Sequence, residues 1–343
     1  MAILVQKKVH EKISVASLTE AEDVILTAAE CATAEKPVEL TIELDHGTVK
    51  LDKPLVLSAK EHPGLANVSL TVKAKSGMRP VLTDMCRLDN RKFETVCGKE
   101  YVKYQFEADE NGKYPLFREL FVDGKRITPA RSGLFIHPFN IADKNNRRNP
   151  ENMRGFYLPA EEVEMFRTYA PGRTMLNMYV EWEAYTVHLE SVDFSDTKEL
   201  NGKTYVLTRY DADEMENFIT RFNGCNDLGG RECYFDNALP LLQPGSFVYD
   251  DRHGTLYVYP TRPFDRWTNV SYPTLENLLI LDGLNHTVFE GVTFSGLTSK
   301  FICEHGYLCG QANNEQRVGR LTHAAFLTSD MRDFTLRDCT FRD

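Results

Sequence analysis

The sequence predicts an all-β chain organised as a solenoid of stacked strands, and two observations carry this prediction. A ten-residue pattern at 287–296, TVFEGVTFSG, returns 47 residues later as FTLRDCTFRD at 334–343. From residue 38 onward, short segments of alternating apolar and polar residues are separated by clusters of Asn, Gly, Pro and Asp. Recurrence at a fixed interval is typical of coils that stack and bury one continuous core.

One helix is expected before the strands. Ser17 and Glu20 form a capping box, and apolar residues then recur at helical spacing, which predicts a helix over about 17–34. After Pro37 the period changes to two, which predicts strands at 38–44, 49–57, 68–74, 101–106 and 120–122, with further alternating runs through residue 210.

Two hairpins have recognisable turn residues. Asp123 and Gly124 follow one predicted strand directly and suit a tight two-residue turn. Gly254 lies between the two aromatic-rich runs of GSFVYDDRHGTLYVYP, where it can supply a positive φ. The chain is therefore expected to contain antiparallel hairpins as well as stacked coils.

The two copies of the repeated pattern match position by position. Aligned without gaps, Val288 corresponds to Thr335 and Phe294 to Phe341. If the two copies form adjacent coils, these phenylalanines lie one above the other inside the core. The alternative is a pair of unrelated sandwich strands, but the long polar segment between the copies favours coils with a projecting loop.

Composition excludes several classes of protein. The chain has 343 residues, a formal net charge of −10 and no run of apolar residues long enough to span a bilayer. The negative charge argues against nucleic-acid binding, and we expect neither a nucleic-acid nor a membrane partner. The start, MAILVQKKVHEK, is not a secretory leader, so a cytoplasmic location is predicted, or export if a leader was removed.

No cofactor or metal is expected from the motifs. The eight cysteines include no CxxC pair and are interpreted as reduced, mostly buried thiols. The sequence also contains no P-loop, GxGxxG, GxSxG or HExxH motif. The basic run at 144–173 and the acidic run at 211–216, which lacks EF-hand spacing, are interpreted as solvated loops.

Four segments together resemble a known family. They are VELTIELDHGTVKLDKPLVLSA, LFVDGKRITPARS, PGSFVYDDRHGTLYVYP and LENLLILDGLNHTVFEGVTFSG. With the preceding helix they resemble the entry half of right-handed parallel β-helix carbohydrate-active proteins. The group that is most similar is related to glycoside hydrolase family 141, whose characterised activity is on fucose-containing plant pectin. The resemblance spans most of residues 15 to 343.

The resemblance implies an organisation in three parts. It implies an N-terminal cap helix and first β-helix strands at 1–115, an inserted region of antiparallel hairpins at 116–275, and β-helix coils at 276–343. Members of such families continue for several hundred residues, with the catalytic acid and base expected on later coils. We therefore expect the C-terminal edge to be covered by further chain, a partner subunit or a second copy.

The candidate catalytic residues lie near the repeated coils. Glycoside hydrolysis usually needs two carboxyl groups about 5 to 5.5 Å apart for retention or roughly 6.5 to 9.5 Å for inversion. Asp282 and Asp330 precede the two copies at an offset of 48, so they are predicted as neighbours on one rim. The alternative is that both are turn residues, in LDG and TSD.

Further candidates come from the segment between the copies and from the tryptophans. Glu304 and His305, on an expected projecting loop, and His323 at its return are candidates for acid-base work. Trp182 and Trp267, the only tryptophans, are candidate platforms for a sugar ring, with core packing as the alternative.

These observations support three functional hypotheses. The leading one is a glycoside hydrolase acting on a complex polysaccharide or oligosaccharide, complete or as the N-terminal portion of a longer enzyme. The second is a polysaccharide lyase acting on uronate polymers. The third is a non-catalytic carbohydrate-binding scaffold.

Overall fold

The computed structural model describes residues 9–11, 18–44, 47–89, 91–96, 99–137, 139–140, 155–180, 183–215, 231–265, 268–308 and 324–343. The helices are α1 (Leu18–Cys31), α2 (Ala160–Val163) and α3 (Lys300–His305), with 3₁₀ turns at Pro63–Asn67, Glu164–Arg167 and Leu239–Leu241. The strands are β1 (Val9–Glu11), β2 (Val38–Leu44), β3 (Thr48–Lys50), β4 (Leu55–Ser58), β5 (Val68–Ala74), β6 (Val81–Thr83), β7 (Cys86–Leu88), β8 (Lys92–Val96), β9 (Lys99–Gln105), β10 (Leu120–Val122), β11 (Lys125–Pro129), β12 (Phe135–His137), β13 (Phe139–Asn140), β14 (Gly155–Pro159), β15 (Met175–Val180), β16 (Glu183–Leu200), β17 (Lys203–Tyr210), β18 (Arg231–Asp236), β19 (Ser246–Asp250), β20 (Thr255–Tyr259), β21 (Val270–Tyr272), β22 (Leu279–Asp282), β23 (Asn285–Glu290), β24 (Thr293–Ser295), β25 (Tyr307–Leu308), β26 (Phe326–Ser329), β27 (Arg332–Arg337) and β28 (Thr340–Arg342).

The chain forms two compact units. Unit 1 comprises Met1–Arg87, Ser271–Thr298 and His323–Asp343, and unit 2 comprises Leu88–Val270 and Ser299–Thr322. Unit 1 is thus assembled from three separate stretches of chain. The boundaries predicted at 115 and 275 stay a prediction.

Unit 1 contains three sheets whose strands all pair in parallel. Their strand orders are β1-β2-β5-β23-β27, β26-β22-β4 and β28-β24-β6-β3. From β2 onward, successive strands of unit 1 alternate among these sheets rather than pairing with each other. Parallel neighbours need such crossover connections, because a tight hairpin can only join antiparallel strands.

The 47-residue interval holds across all three sheets of unit 1. Leu279 pairs with Phe326, Val288 with Thr335, and Phe294 with Phe341. The rings of Phe294 and Phe341 stack with centroids 5.1 Å apart, which confirms the predicted superposition of these residues. Backbone corners recur at the same interval, since the residues in each of the following pairs have positive φ: Gly283 and Asp330, His286 and Asp333, Gly291 and Asp338, and Gly296 and Asp343.

The core of unit 1 is a single apolar cluster. It is built mainly from leucine, valine and isoleucine of the parallel strands, together with Phe289 and Phe294. Helix α1 contributes its alanines and Ile25 to the same cluster, so it covers apolar surface of the strands. The helix approaches the 3₁₀ turn closely at Gly64, where a Cβ would lie 1.9 Å from the carbonyl oxygen of Ala29.

Unit 2 is dominated by antiparallel pairing. One sheet includes β10, β11, β19, β20, β9 and β8 in that order, with one parallel pair, β11 and β19. The other has the order β12-β18-β15-β16-β17-β14-β13, and β25 also pairs with β16. The main core of unit 2 lies on this second sheet and includes Leu176, Val187 and Phe235.

The local predictions are largely confirmed. The described residues are mostly strand, as an all-β class requires, and strands at 38–44, 68–74 and 120–122 have the predicted bounds. The first helix ends at Cys31, three residues earlier than the 34 predicted. Both hairpin turns adopt the predicted backbone, with φ of 50° at Asp123, 73° at Gly124 and 62° at Gly254.

Three predictions about exposure need correction. Of the five described cysteines, only Cys233 and Cys303 are buried. Arg173, assigned to a solvated basic run, is 11% exposed and pairs with Asp251, while 144–154 lies outside the described residues. Glu214, assigned to a solvated acidic run, is 3% exposed because its carboxylate is held by His188. Among the described residues, no helix is long and apolar enough to cross a membrane.

Candidate functional site

Asp282 lies at the carboxyl end of the three-stranded parallel sheet of unit 1. It is the last residue of β22 and lies between Ser58 of β4 and Ser329 of β26 in register. Lys60 and Asp330 follow the ends of the two flanking strands. We call Ser58, Lys60, Asp282, Ser329 and Asp330 the unit 1 rim.

Lys60 holds the two carboxylates of the unit 1 rim. Its Nζ lies 3.0 Å from Asp282 Oδ2 and 3.7 Å from Asp330 Oδ2. The hydroxyl of Ser329 donates to Asp282 Oδ1 at 2.5 Å, and that of Ser58 lies 3.4 Å from Oδ2. The Ser329 hydrogen bond and the Lys60 cation together lower the pKa of Asp282 below its usual range. Asp282 is therefore suited to act as a base or nucleophile rather than as an acid.

The structure brings Asp282 and Asp330 together, with one change from the predicted alignment. The residue in register with Asp282 is Ser329, because the repeat interval is 47 and not 48. Asp330 instead corresponds to Gly283 and occupies a left-handed turn with φ of 50°, as the turn alternative expected. The two carboxylates are neighbours, since both contact Lys60 Nζ.

Glu304 and His305 lie in unit 2, on the last turn of α3 and not on the loop predicted from sequence. Gly306, with φ of 66°, ends the helix, and its amide hydrogen-bonds to the carbonyl of Ile302. Glu304 Oε2 and His305 Nε2 are 3.9 Å apart, and both side chains are nearly half exposed. His323, Trp182 and Trp267 lie outside the described residues, so their predicted roles stay predictions.

A buried histidine-glutamate pair in unit 2 was not predicted. His188 Nδ1 lies 2.6 Å from Glu214 Oε1, and the backbone N–H of His188 donates to Oε2 at 2.7 Å. The two residues are only 4% and 3% exposed. A carboxylate accepts hydrogen bonds, so Nδ1 is the nitrogen of His188 that faces Glu214, and Nε2 faces away from it. That Nε2 has no hydrogen-bond partner among the described residues.

Cross-strand pairing places polar side chains in rows on the face of this sheet that lies opposite the main core. Asn177 of β15 pairs with Thr186 of β16 and with Tyr234 of β18. The hydroxyl of Thr186 donates to Asn177 Oδ1 at 2.7 Å, which leaves Asn177 Nδ2 buried and without a partner among the described residues. Met175, two residues earlier on β15, pairs with His188, so Asn177 and His188 are diagonal neighbours.

Two tyrosine rings, those of Tyr179 and Tyr234, lie on the same face. Tyr179, two residues beyond Asn177, is 45% exposed, and its ring centroid lies 5.9 Å from that of Tyr234. The guanidinium of Arg131 lies over the Tyr234 ring at 5.1 Å. Burial, with Asp236 adding to it, raises the pKa of Tyr234 to about 12, so its hydroxyl stays protonated at neutral pH.

A small cavity in unit 2 is lined by Arg173 and Asp251, which pair with each other, and by Arg118, which pairs with Asp236. Arg173 Nε lies 2.6 Å from Asp251 Oδ1, and Arg118 Nη2 lies 3.0 Å from Asp236 Oδ2. The cavity measures about 30 Å³, enough for one or two water molecules but not for a sugar ring. Cys303 also lines it, and burial raises the pKa of this thiol to about 12, which excludes it as a nucleophile at neutral pH.

Sequence patterns offered only a weak signal for this polar face. Asn177 and Thr186 occupy alternate positions of β15 and β16, where a polar residue normally indicates a solvated face. Glu214 lies within an acidic run, and its partner His188 is 26 residues earlier in the chain, so no local pattern links the two.

The described residues contain no group of three or more His, Cys, Asp or Glu that could hold a metal ion.

Comparisons with known proteins give one structural likeness. Protein-family models give no match to the chain, and curated proteins give none either. Among solved structures, the chain is similar to one titled "Glycoside hydrolase", with a TM-score of 0.64 and 21% sequence identity. The likeness covers 85% of this chain and 49% of that chain, so the present chain spans about half the length of its structural relative. At this identity the comparison shows that the two proteins share a fold.

Proposed function

We propose that this protein is a carbohydrate-active protein of the glycoside hydrolase type that acts on a complex polysaccharide. The observation that carries the proposal is the fold similarity to a glycoside hydrolase over 85% of the chain. The paired carboxylates of the unit 1 rim support it, because glycosidic bond cleavage usually needs two neighbouring carboxyl groups.

Within this proposal, unit 1 is a right-handed parallel β-helix. Three parallel sheets that receive strands in rotation, with corners that recur every 47 residues, support this architecture. Parallel crossover connections are right-handed in nearly all known cases, which supports the hand. The unit 2 hairpins then correspond to the predicted insertion between early and late coils.

In this proposal, the unit 1 rim supplies the two carboxyl groups. Asp282, with its lowered pKa, is the base or nucleophile, and Asp330 is the second carboxyl group. Lys60 is a positioning residue, because its ammonium group fixes both carboxylates. Glu304 and His305 stay candidates for acid-base work.

A turnover assay with matched variants tests the proposal. The chain is incubated with aryl glycosides and pectic oligosaccharides, and the products are separated chromatographically. We expect cleavage that Asp282→Asn lowers by a factor of about 10² to 10⁴. Asp52→Asn is the control, since it removes a carboxylate that pairs with Lys50 on the surface of unit 1. Neither turnover nor binding on the whole panel would remove the proposal, and an unsaturated product absorbing in the ultraviolet would select a lyase instead.

A second variant tests the role of Lys60. Lys60→Ala removes a cation that lowers the pKa of Asp282, so the acidic limb of the pH-rate profile is expected to move to higher pH. An unchanged profile, with Asp282→Asn inactive, would exclude Lys60 as a positioning residue.

One observation favours a non-catalytic scaffold as the second candidate. Both carboxylates of the unit 1 rim bind the same lysine, so Lys60 neutralises charge that a catalytic pair would use. Glycan binding without any bond cleavage would select this candidate.

A further inference from the structure

The geometry points to a glycan-binding site on the face of β18, β15 and β16 that lies opposite the main core, where the exposed Tyr179 follows Asn177, one of two buried polar residues with an atom that lacks a partner among the described residues. The site is distinct from the unit 1 rim and is contained entirely in unit 2. Its central residues are Tyr179, Tyr234, Asn177 and His188.

The first argument is the unmet hydrogen bonding. Burying a polar group without a partner costs free energy, so most such groups in proteins are satisfied by protein, water or ligand. Asn177 Nδ2, which is a donor, and His188 Nε2 are both buried without partners among the described residues. A hydroxyl group can donate or accept, so sugar hydroxyls match unmet groups of either kind.

The second argument is the aromatic edge beside these atoms. Tyr179 follows Asn177 by two residues on the same face, and Tyr234 lies directly across from Asn177. Nearly half of the Tyr179 surface is open to solvent. A pyranose ring has an apolar C–H face that stacks on an aromatic ring and hydroxyls at its edge. A sugar therefore combines the two requirements, stacking on Tyr179 and directing a hydroxyl toward Asn177.

The third argument is rigidity. Asn177 Oδ1 is fixed by the Thr186 hydroxyl, and His188 is fixed by both oxygens of Glu214. Side chains fixed in this way lose little entropy when a ligand binds. Tyr234 is held in place under Arg131, and Tyr179 is the exposed ring of the two.

The choice of a carbohydrate as occupant rests on the proposed function, but the test measures binding and not turnover. Calorimetric titration with a panel of neutral oligosaccharides and polysaccharides compares the unsubstituted chain with Tyr179→Ala, Tyr179→Phe and Asn177→Ala. We expect Tyr179→Ala to weaken binding about tenfold and Tyr179→Phe to preserve it, because the ring and not its hydroxyl makes the stacking contact. Asn177→Ala is expected to weaken binding by a similar factor.

The control is Phe93→Ala, because Phe93 is an exposed aromatic residue on β8, in the other sheet of unit 2. Binding that is unchanged by Tyr179→Ala, or weakened equally by Phe93→Ala, overturns the site. Binding unchanged by Asn177→Ala would assign the buried donor to water and overturn the hydroxyl contact. If binding depends on Tyr179 but no glycan is cleaved, the hydrolase proposal is wrong and the binding site stands. If Tyr179→Ala binds and cleaves glycans normally, the binding site is wrong and the hydrolase proposal stands.

Discussion

Asp84 shows how one buried carboxylate organises the connections of unit 1. It is fully buried, and its oxygens accept the backbone N–H groups of Thr274 at 2.7 Å, Leu275 at 2.6 Å and Leu297 at 3.2 Å. One side chain thereby satisfies donors from segments that are distant in sequence. Burial raises the pKa of Asp84 despite these hydrogen bonds, so ionisation of the carboxyl is less favourable in the fold than in the unfolded chain.

Asp84 and Asp282 are expected to change stability in opposite directions with pH. The raised pKa of Asp84 contributes stability that is present below its unfolded value of 3.8 and is lost as pH rises through the folded value. The lowered pKa of Asp282 contributes stability that is present above 3.8 and is lost as pH falls through the folded value. The test is to measure the free energy of unfolding of Asp84→Asn, Asp282→Asn and the unsubstituted chain by chemical denaturation between pH about 3 and 6. Parallel pH profiles for the two variants would contradict the assignment.

Gly64 is predicted to tolerate no side chain. Its Cβ would lie 1.9 Å from the backbone oxygen of Ala29, which only a shift of α1 against the 3₁₀ turn could relieve. Gly64→Ala is therefore expected to lower the free energy of unfolding by about 1 to 3 kcal/mol. Gly133→Ala is the control, because a Cβ there meets nothing within 4 Å. Equal thermal midpoints for the two variants would show that α1 does not pack as described.

At the scale of elements, the His188-Glu214 pair joins β16 to the helical residues at 212–215. Removing one member leaves the other buried without its partner, so His188→Ala is expected to cost about 3 to 5 kcal/mol. The double variant His188→Leu, Glu214→Leu is expected to cost less than the sum of the single changes. His253→Ala is the control, since His253 pairs with Asp250 at 2.8 Å but is 75% exposed, and it should cost less than about 1 kcal/mol. Equal costs for His188→Ala and His253→Ala would contradict a structural role for the buried pair.

Elements with strict alternation could be predicted from sequence, because the pattern itself specifies which face is buried. In β2, Leu40, Ile42 and Leu44 are buried, and the residues between them are more exposed. The parallel partners of β2 could not be predicted, because pairing depends on residues far apart in the chain. A charge ladder across β2, β5, β23 and β27, formed by Glu43, Lys73, Glu290 and Arg337, is visible only once the register is known.

The short helix α3 illustrates the opposite case. Its six residues, KFICEH, are too few for helical periodicity to stand out, and the segment was expected to be loop. Only tertiary packing stabilises such a helix, because isolated helices of this length are marginal in water.

The candidate site could be predicted from sequence only in part. Asp282 and Asp330 could be found from the repeat interval, but Lys60 could not. Lys60 precedes Asp282 by 222 residues, and no local pattern links them.

At the scale of the whole molecule, the 47-residue repeat determines which positions of unit 1 recur in space. Phe294 is 2% exposed and packs against Phe289, Phe326 and Phe341, whereas Phe341 in the last described row is 50% exposed. The same position is therefore core in one row and surface in the next. The difference comes from whether a further strand lies beyond it, and not from the residue type.

The last row of unit 1 is expected to associate with other polypeptide. Strands β26, β27 and β28 each form the edge of a parallel sheet in the described part of the chain, and Leu336 and Phe341 expose apolar surface there. Open edges with apolar side chains favour strand addition, so this surface is expected to bind a partner subunit or a second copy. Phe341→Lys combined with Leu336→Lys should reduce concentration-dependent association in sedimentation velocity, since charged residues oppose edge pairing. Val56→Lys is the control, because Val56 is similarly exposed at 40% but lies on β4, at the other end of its sheet. A chain that stays monomeric at all concentrations, with or without the lysines, would show that this edge has no affinity for another strand.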